Sequence, residues 1–290
     1  MTSNKRSSII LWLLLIVLLV CIGTLVANGV LSFRQHPNLP EKTPEPVSSP
    51  QEQVENWSGI YYYAGMPRTT ASFPDQITIL TNIGYVVGYS ESKHDPVWVC
   101  YRLSQVGSLK APPRPQTFSV DSRTGARVSP ADYTGSGYDR GHMAPNYAIA
   151  VCYGSAAQLE TFRMSNILPQ KPNLNRRVWE RLEQEEVKTY AQRFKAVWVI
   201  DGPIFDASPS RLSSGVAVPK SCYKIIIVEE NGQPRLLAFM MPQDVTGSEQ
   251  LGLFLTSVRK IEDETGLDFL NEMPRELQDR VESERAPQIW

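Results

Sequence analysis

The sequence predicts an α+β fold: a largely antiparallel sheet flanked by helices, following an N-terminal segment of membrane-spanning character. Three observations carry this. Short β-branched and aromatic runs recur between polar turns, two long stretches repeat apolar residues at helical spacing, and the first 26 residues are almost purely apolar after two cations. Strands and helices in mixed order, without regular βαβ alternation, favour antiparallel pairing.

Residues 1–8 include Lys5 and Arg6, and 9–26 is an uncharged apolar run. At about 1.5 Å per residue that run spans roughly 27 Å, near the hydrocarbon thickness of a bilayer. We expect a transmembrane anchor over 9–32, with the basic end in the cytoplasm and the C-terminal bulk outside it. Leu25-Val26-Ala27 supplies only one small residue of a cleavage site, so a cleaved, secreted form stays an alternative. Pro37, Pro40, Pro44, Pro46 and Pro50 sit among polar residues and mark 33–55 as an extended linker. Residues 56–290 then form one expected domain.

Within it, 77–80, 84–89 and 97–103 read as strands, with 90–96 as the turn between the last two. The runs 197–200 and 223–228 are continuously apolar apart from Lys224, as strands buried on both faces would be. Asn231-Gly232 joins 223–228 to 236–240 as a hairpin. Val178, Trp179, Leu182, Val187, Tyr190 and Phe194 give a helix from Leu174 to about 194, and Leu251, Phe254, Leu255, Val258 and Ile261 give a second over 251–265. Cys100, Cys152 and Cys222 follow the apolar segment without metal-like spacing. They read as small buried residues with at most one disulfide, whose pairing the sequence does not identify.

The chain carries a formal charge of -1, and beyond residue 36 the acids outnumber the bases 30 to 26, since Lys5, Arg6 and Arg34 precede it. That balance is a poor match to a protein relying on a broad basic footprint for nucleic acid. Attraction for a polyanion has to be local. Lys171, Arg176, Arg177 and Arg181 supply a candidate patch, although such a run is commonly a solvated face.

Chemistry concentrates at Asp139-Arg140-Gly141-His142, with Asn166, Gln170, Asn175 and Glu183 downstream. His142 is the one histidine of three in such a setting; His36 lies in the linker and His94 in a turn. An imidazole takes up a proton near neutral pH. A guanidinium matches phosphate oxygens, and Gly141 leaves room for close approach. An amide oxygen and a carboxylate eight residues apart on a helix face one cleft and suit a hydrated hard cation. Asn175 capping the helix and Glu183 pairing on a solvated face remain the plainer alternatives.

Asp139-Arg-Gly-His-Met-Ala-Pro-Asn146, Ser165-Asn166-Ile-Leu-Pro-Gln170 and Leu174-Asn175-x-x-x-Trp179-x-x-Leu182-Glu183 resemble the DNA/RNA non-specific endonucleases of the His-Me finger (ββα-metal) superfamily. Three motifs in the right order make the likeness specific, and it covers most of 57–265. The resemblance implies a Mg2+-dependent hydrolase of DNA and RNA, with Mn2+ or another divalent cation able to substitute. It implies a β-hairpin bearing His142 as general base, facing a helix that starts with Asn175 as the sole direct protein ligand of the metal. Glu183 would hold the metal's waters, Arg140 would neutralise the scissile phosphate, and Asn166 and Gln170 would support the network. Arg114 is the positional candidate for the family's upstream arginine, although its spacing to Phe118 and Asp121 departs from the pattern. Asp139 is assigned an orienting role. Members of the family often dimerise; no interface stripe is legible here, so monomer and homodimer both stay open. Two rivals remain: a catalytically silent relative holding nucleic acid at the envelope, and a phosphodiesterase acting on a small or lipid-linked ester.

Overall fold

The Asn231-Gly232 turn is the clearest case of residue chemistry fixing geometry. In the computed structural model, which describes residues 60–290, both residues have positive φ, 55° and 70°. They close a two-residue loop between strands that pair up to Glu230 and Gln233. That loop conformation suits the right-handed twist of its strands and needs Asn and Gly.

The strands in chain order are β1 (Arg68–Thr69), β2 (Ile77–Asn82), β3 (Tyr85–Ser90), β4 (Asp95–Ser104), β5 (Asp139–His142), β6 (Ile167–Gln170), β7 (Ala196–Ile204), β8 (Ser221–Glu230), β9 (Gln233–Pro242), β10 (Leu255–Thr256) and β11 (Leu267–Asp268). Seven of them form one antiparallel sheet in the order β10-β9-β8-β7-β4-β3-β2. β5 pairs only with β6, as a separate hairpin, and β1 pairs with β11. All the strands expected over 77–240 are present; the one expected over 84–89 is shifted by one residue and the others run a few residues longer than their apolar runs.

Helices α1 (Asn146–Tyr153) and α2 (Ser155–Glu160) follow β5. Helix α3 is continuous but alternates in pitch: Leu174–Trp179 is π, Glu180–Glu185 α, Glu186–Tyr190 π and Ala191–Phe194 α. The expected helix is therefore present, while the uniform 3.6-residue period used to find it is not. α4 (Val258–Thr265) and α5 (Arg275–Ser283) complete the α-helices among the described residues.

The helix expected over 251–265 is corrected in its first half. Leu251–Phe254 is a 3-10 turn, and Leu255–Thr256 pairs with Phe239 and Ala238 at the sheet edge. Ser257 then caps α4, its hydroxyl accepting from the Lys260 amide. Sheet pairing and a local cap together displace a helical register that sidedness alone suggested.

Both faces of the sheet are covered. Val99, Tyr101, Ile226 and Val228 pack against Leu174, Val178, Leu182 and Val187 of α3. On the other face Val97, Cys100, Ile225 and Ile227 meet Val258 and Ile261 of α4 and Val281 of α5. Double burial explains the unbroken apolar runs. Cys100, Cys152 and Cys222 are all free thiols. The expected anchor and linker, residues 1–55, lie outside the described residues. Among the described residues no helix is long and apolar enough to cross a membrane.

Candidate active site

β5 is short, and its alternation sets the site. Arg140 and His142, two apart, share one face. The Phe118 ring stands against both, 5.3 Å from the His142 ring centre and 5.0 Å from the Arg140 guanidinium. Phe162 closes the other side of the imidazole at 4.9 Å, edge to face. His142 is consequently 8% exposed. Its Nε2 is buried without a hydrogen-bond partner, which leaves Nδ1 as the nitrogen that reaches the cleft. Burial between the two phenyl rings, with the nearby charge of Arg114, lowers the imidazole pKa to about 3. Burial disfavours the charged form, so the ring is held neutral.

The opposing wall is α3. A cleft of about 240 Å³ is lined by His142, Arg140 and Arg114 from one side and by Asn175, Glu180 and Glu183 from the other. Asn175 is not a helix cap: its Nδ2 donates to Asp139 Oδ2 at 3.0 Å. Arg176 grips the same carboxylate through Nε at 2.7 Å and Nη2 at 2.6 Å. Partial burial works against ionisation of Asp139, but the bonds from Arg176 and Asn175 prevail and hold its carboxyl below the usual range. A carboxylate only accepts, so it commits the amide nitrogen of Asn175 and turns Oδ1 away from Asp139.

Glu183 is half-buried at the cleft and makes no ion pair on an open face. Burial pushes its carboxyl up to about 8; Lys224 pulls it back, while Glu186, Asp201 and Glu180 add to the rise. Arg114 reaches the cleft despite its irregular spacing, with its guanidinium 5.0 Å over the Phe162 ring. Arg140 donates to the Pro130 carbonyl at 3.1 Å, which steadies an otherwise exposed side chain.

Asn166 and Gln170 do not line the cleft; they sit behind β5. Asn166 is fully buried, with Oδ1 accepting from the Ala144 amide at 2.9 Å and Nδ2 donating to the Ala144 and Thr161 carbonyls at 3.0 Å each. It pins the chain just past His142. Gln170 is also buried, donating to Cys222 Sγ at 3.5 Å. Its Oε1 lies 2.0 Å from where a Cβ on Gly141 would stand. The glycine thus admits a buried side chain of its own fold, and not a substrate or a backbone segment as the sequence suggested. The basic run is partly engaged as well: Arg176 is tied to Asp139, and Arg181 donates to the Glu249 carbonyl.

Sequence reasoning missed Phe118, Phe162 and Glu180. The two rings come from irregular or weakly periodic chain and carry no local signal. Glu180 lies five residues after Asn175, a spacing that shares a face only in a π turn.

The donor set suits a hydrated hard cation. One amide oxygen is oriented by its own second partner, two carboxylates share the wall, and the open cleft has room for water.

Comparison with known proteins identifies the family. A family model described as DNA/RNA non-specific endonuclease matches residues 64–276. A nuclease of Nostoc sp. is 31% identical over 224 residues, covering 72% of this chain and 79% of that protein. Bovine mitochondrial endonuclease G is 31% identical, covering 68% of this chain and 70% of its own. The mitochondrial nuclease EXOG of Xenopus laevis is 33% identical over 67% of this chain, which spans 58% of that protein's length. A crystal structure of EndoG in complex with EndoGI superposes with a TM-score of 0.62 at 24% identity, over 80% of this chain and 96% of that one, and shows the shared fold. The chain belongs to the DNA/RNA non-specific endonuclease family.

Proposed function

We propose that this protein is a divalent-metal-dependent endonuclease that hydrolyses phosphodiester bonds in DNA and RNA with little base preference. One observation supports it above the others: His142, Arg140 and Arg114 meet Asn175 and Glu183 across a single cleft, although Arg114 and Glu183 stand 69 positions apart in the chain.

His142 Nδ1 accepts the proton of the attacking water, and burial of the ring favours its neutral form. Asn175 Oδ1 would hold the cation directly and the Glu183 carboxylate would hold its waters, with Mg2+ the natural choice for an oxygen-only set. When bound, that cation supplies charge neutralisation on the phosphoryl oxygens and on the departing 3′ oxygen. Arg140 and Arg114 add cationic donors on the hairpin side of the cleft, where the diester's negative charge grows. Asp139 acts earlier, by orienting Asn175.

The test is degradation of supercoiled plasmid and of RNA by residues 56–290, with and without Mg2+. Turnover of both polymers that chelation abolishes is expected; retention of nucleic acid without nicking over hours would favour the silent binding relative instead. We further propose an extracytoplasmic catalytic domain anchored by 9–32, on the strength of Lys5, Arg6 and the apolar run that follows.

A further inference from the structure

Beneath α3 the sheet carries a charge that the chemistry above does not use. Lys224, in the middle of β8, is fully buried. Its Nζ lies 2.9 Å from Glu186 Oε1 and 2.9 Å from Asp201 Oδ2. It donates to the Tyr101 hydroxyl at 2.8 Å, and that hydroxyl donates to Glu186 Oε2 at 2.7 Å. The ammonium also stands 4.4 Å from the centre of the Trp179 ring. Tyr101, Asp201 and Lys224 come from β4, β7 and β8; Trp179 and Glu186 come from α3.

The two contacts on α3 fall where its pitch changes. Trp179 is the last residue of the first π stretch and Glu186 the first of the second. Between them the α segment Glu180–Glu185 carries Glu180, Glu183 and Gln184 of the cleft wall. Wide π turns have poorer hydrogen-bond geometry and persist where something fixes them, often at functional sites. Stability does not account for the cluster, because well-packed neutral residues in place of a buried ion pair are often as stable or more so. A device that fixes register does account for it.

We propose that Lys224 is a positioning residue: by clamping Trp179 and Glu186 of α3 onto Tyr101 and Asp201 of the sheet, it sets the rotation of Glu180–Glu185 so that Glu183 faces the cleft. This rests on the nuclease reading and deepens it. The same charge partly offsets the burial that raises the Glu183 carboxyl.

The test is the triple variant Lys224→Met, Glu186→Gln, Asp201→Asn, which keeps shape while removing every charge of the cluster; a Met thioether remains compatible with the Trp179 ring. Tyr101→Phe is the milder second variant. Four quantities are read: thermal midpoint, Mn2+ affinity by electron paramagnetic resonance, hydrogen exchange of the 180–185 amides, and kcat against KM on supercoiled plasmid. The triple variant is expected to fold, to exchange faster at 180–185, and to lose about tenfold in Mn2+ affinity and in kcat, the size usual for a lost supporting partner. KM should stay within about twofold, because the groups facing substrate from the hairpin are untouched. Tyr101→Phe should shift the same quantities in the same direction by less. A folded triple variant with parental Mn2+ affinity, exchange and kcat overturns the proposal. If the triple variant does not fold, parental values in Tyr101→Phe overturn it. A parent protein that nicks nothing would defeat the nuclease reading instead, while Mn2+ affinity and exchange still decide on the clamp.

Discussion

Asn175 Nδ2 donates to Asp139 Oδ2 at 3.0 Å, so the hairpin and the helix are joined by the side chain proposed to hold the cation. The carboxylate is fixed in turn by two bonds from Arg176. This makes Asp139 the group that decides which atom of the Asn175 amide faces the cleft. In Asp139→Asn the new amide can donate as well as accept, so the Asn175 carbonyl can turn inward toward it. Divalent-cation affinity is expected to fall by about 10–100-fold, as for other outer partners of metal ligands. Mn2+ titration followed by paramagnetic resonance measures this, and unchanged affinity would refute the orienting role.

His142 carries the second prediction. His142→Ala should lower kcat by about 10²–10⁴-fold, the usual range for general-base assistance. Its pH behaviour has a definite sign. The folded pKa, about 3, lies below the ordinary value of 6.5, so the folded state binds fewer protons than the unfolded chain. Stability is therefore lost as pH falls from about 6.5 toward 3. His142→Asn lacks this linkage, so the wild-type thermal midpoint should decline relative to the variant between pH 7 and pH 4. A constant difference across that window would show that the ring is not held neutral by its phenyl neighbours.

Gly141 is required by packing. A Cβ there would sit 2.0 Å from Gln170 Oε1, 2.5 Å from its Cδ and 2.7 Å from its Cγ. Gln170 is fully buried and has no space to withdraw into. Gly141→Ala should cost about 1–3 kcal/mol as an overpacking substitution. Much of that should return in the double variant Gly141→Ala, Gln170→Ala, which removes the clashing atoms. Denaturant unfolding of the two variants measures it; equal losses would show that the glycine serves some need other than room for Gln170.

What the sequence disclosed follows from where the information sits. Asn231-Gly232 is legible because two adjacent residues with positive φ require that chemistry locally. His142, Asn175 and Glu183 are legible as motifs, because their spacing is a property of the chain. The reason Gly141 is glycine is not, since its neighbour Gln170 arrives through strand pairing. The pitch changes in α3 are hidden because 3.6-residue periodicity fits the apolar stripe tolerably well on either side of them. Lys224 sits in a run that reads as a plain apolar strand. Its partners Tyr101, Glu186 and Asp201 lie 123, 38 and 23 positions away in the chain, so no local pattern announces the cluster.

Glu183 yields the last prediction, in which function and stability pull apart. Its folded carboxyl sits at about 8, above the ordinary 4.5, mainly through burial. Between those values the folded state retains a proton that the unfolded chain gives up, so raising the pH through that window favours unfolding. Glu183→Gln carries no such penalty. The variant should match the wild type in thermal midpoint at pH 4, where both side chains are neutral, and exceed it at pH 8, while divalent-cation affinity and nuclease activity fall. Should Glu183→Gln melt no higher than the wild type at pH 8, burial is not opposing ionisation there, and the helix wall presents an ordinary solvated glutamate.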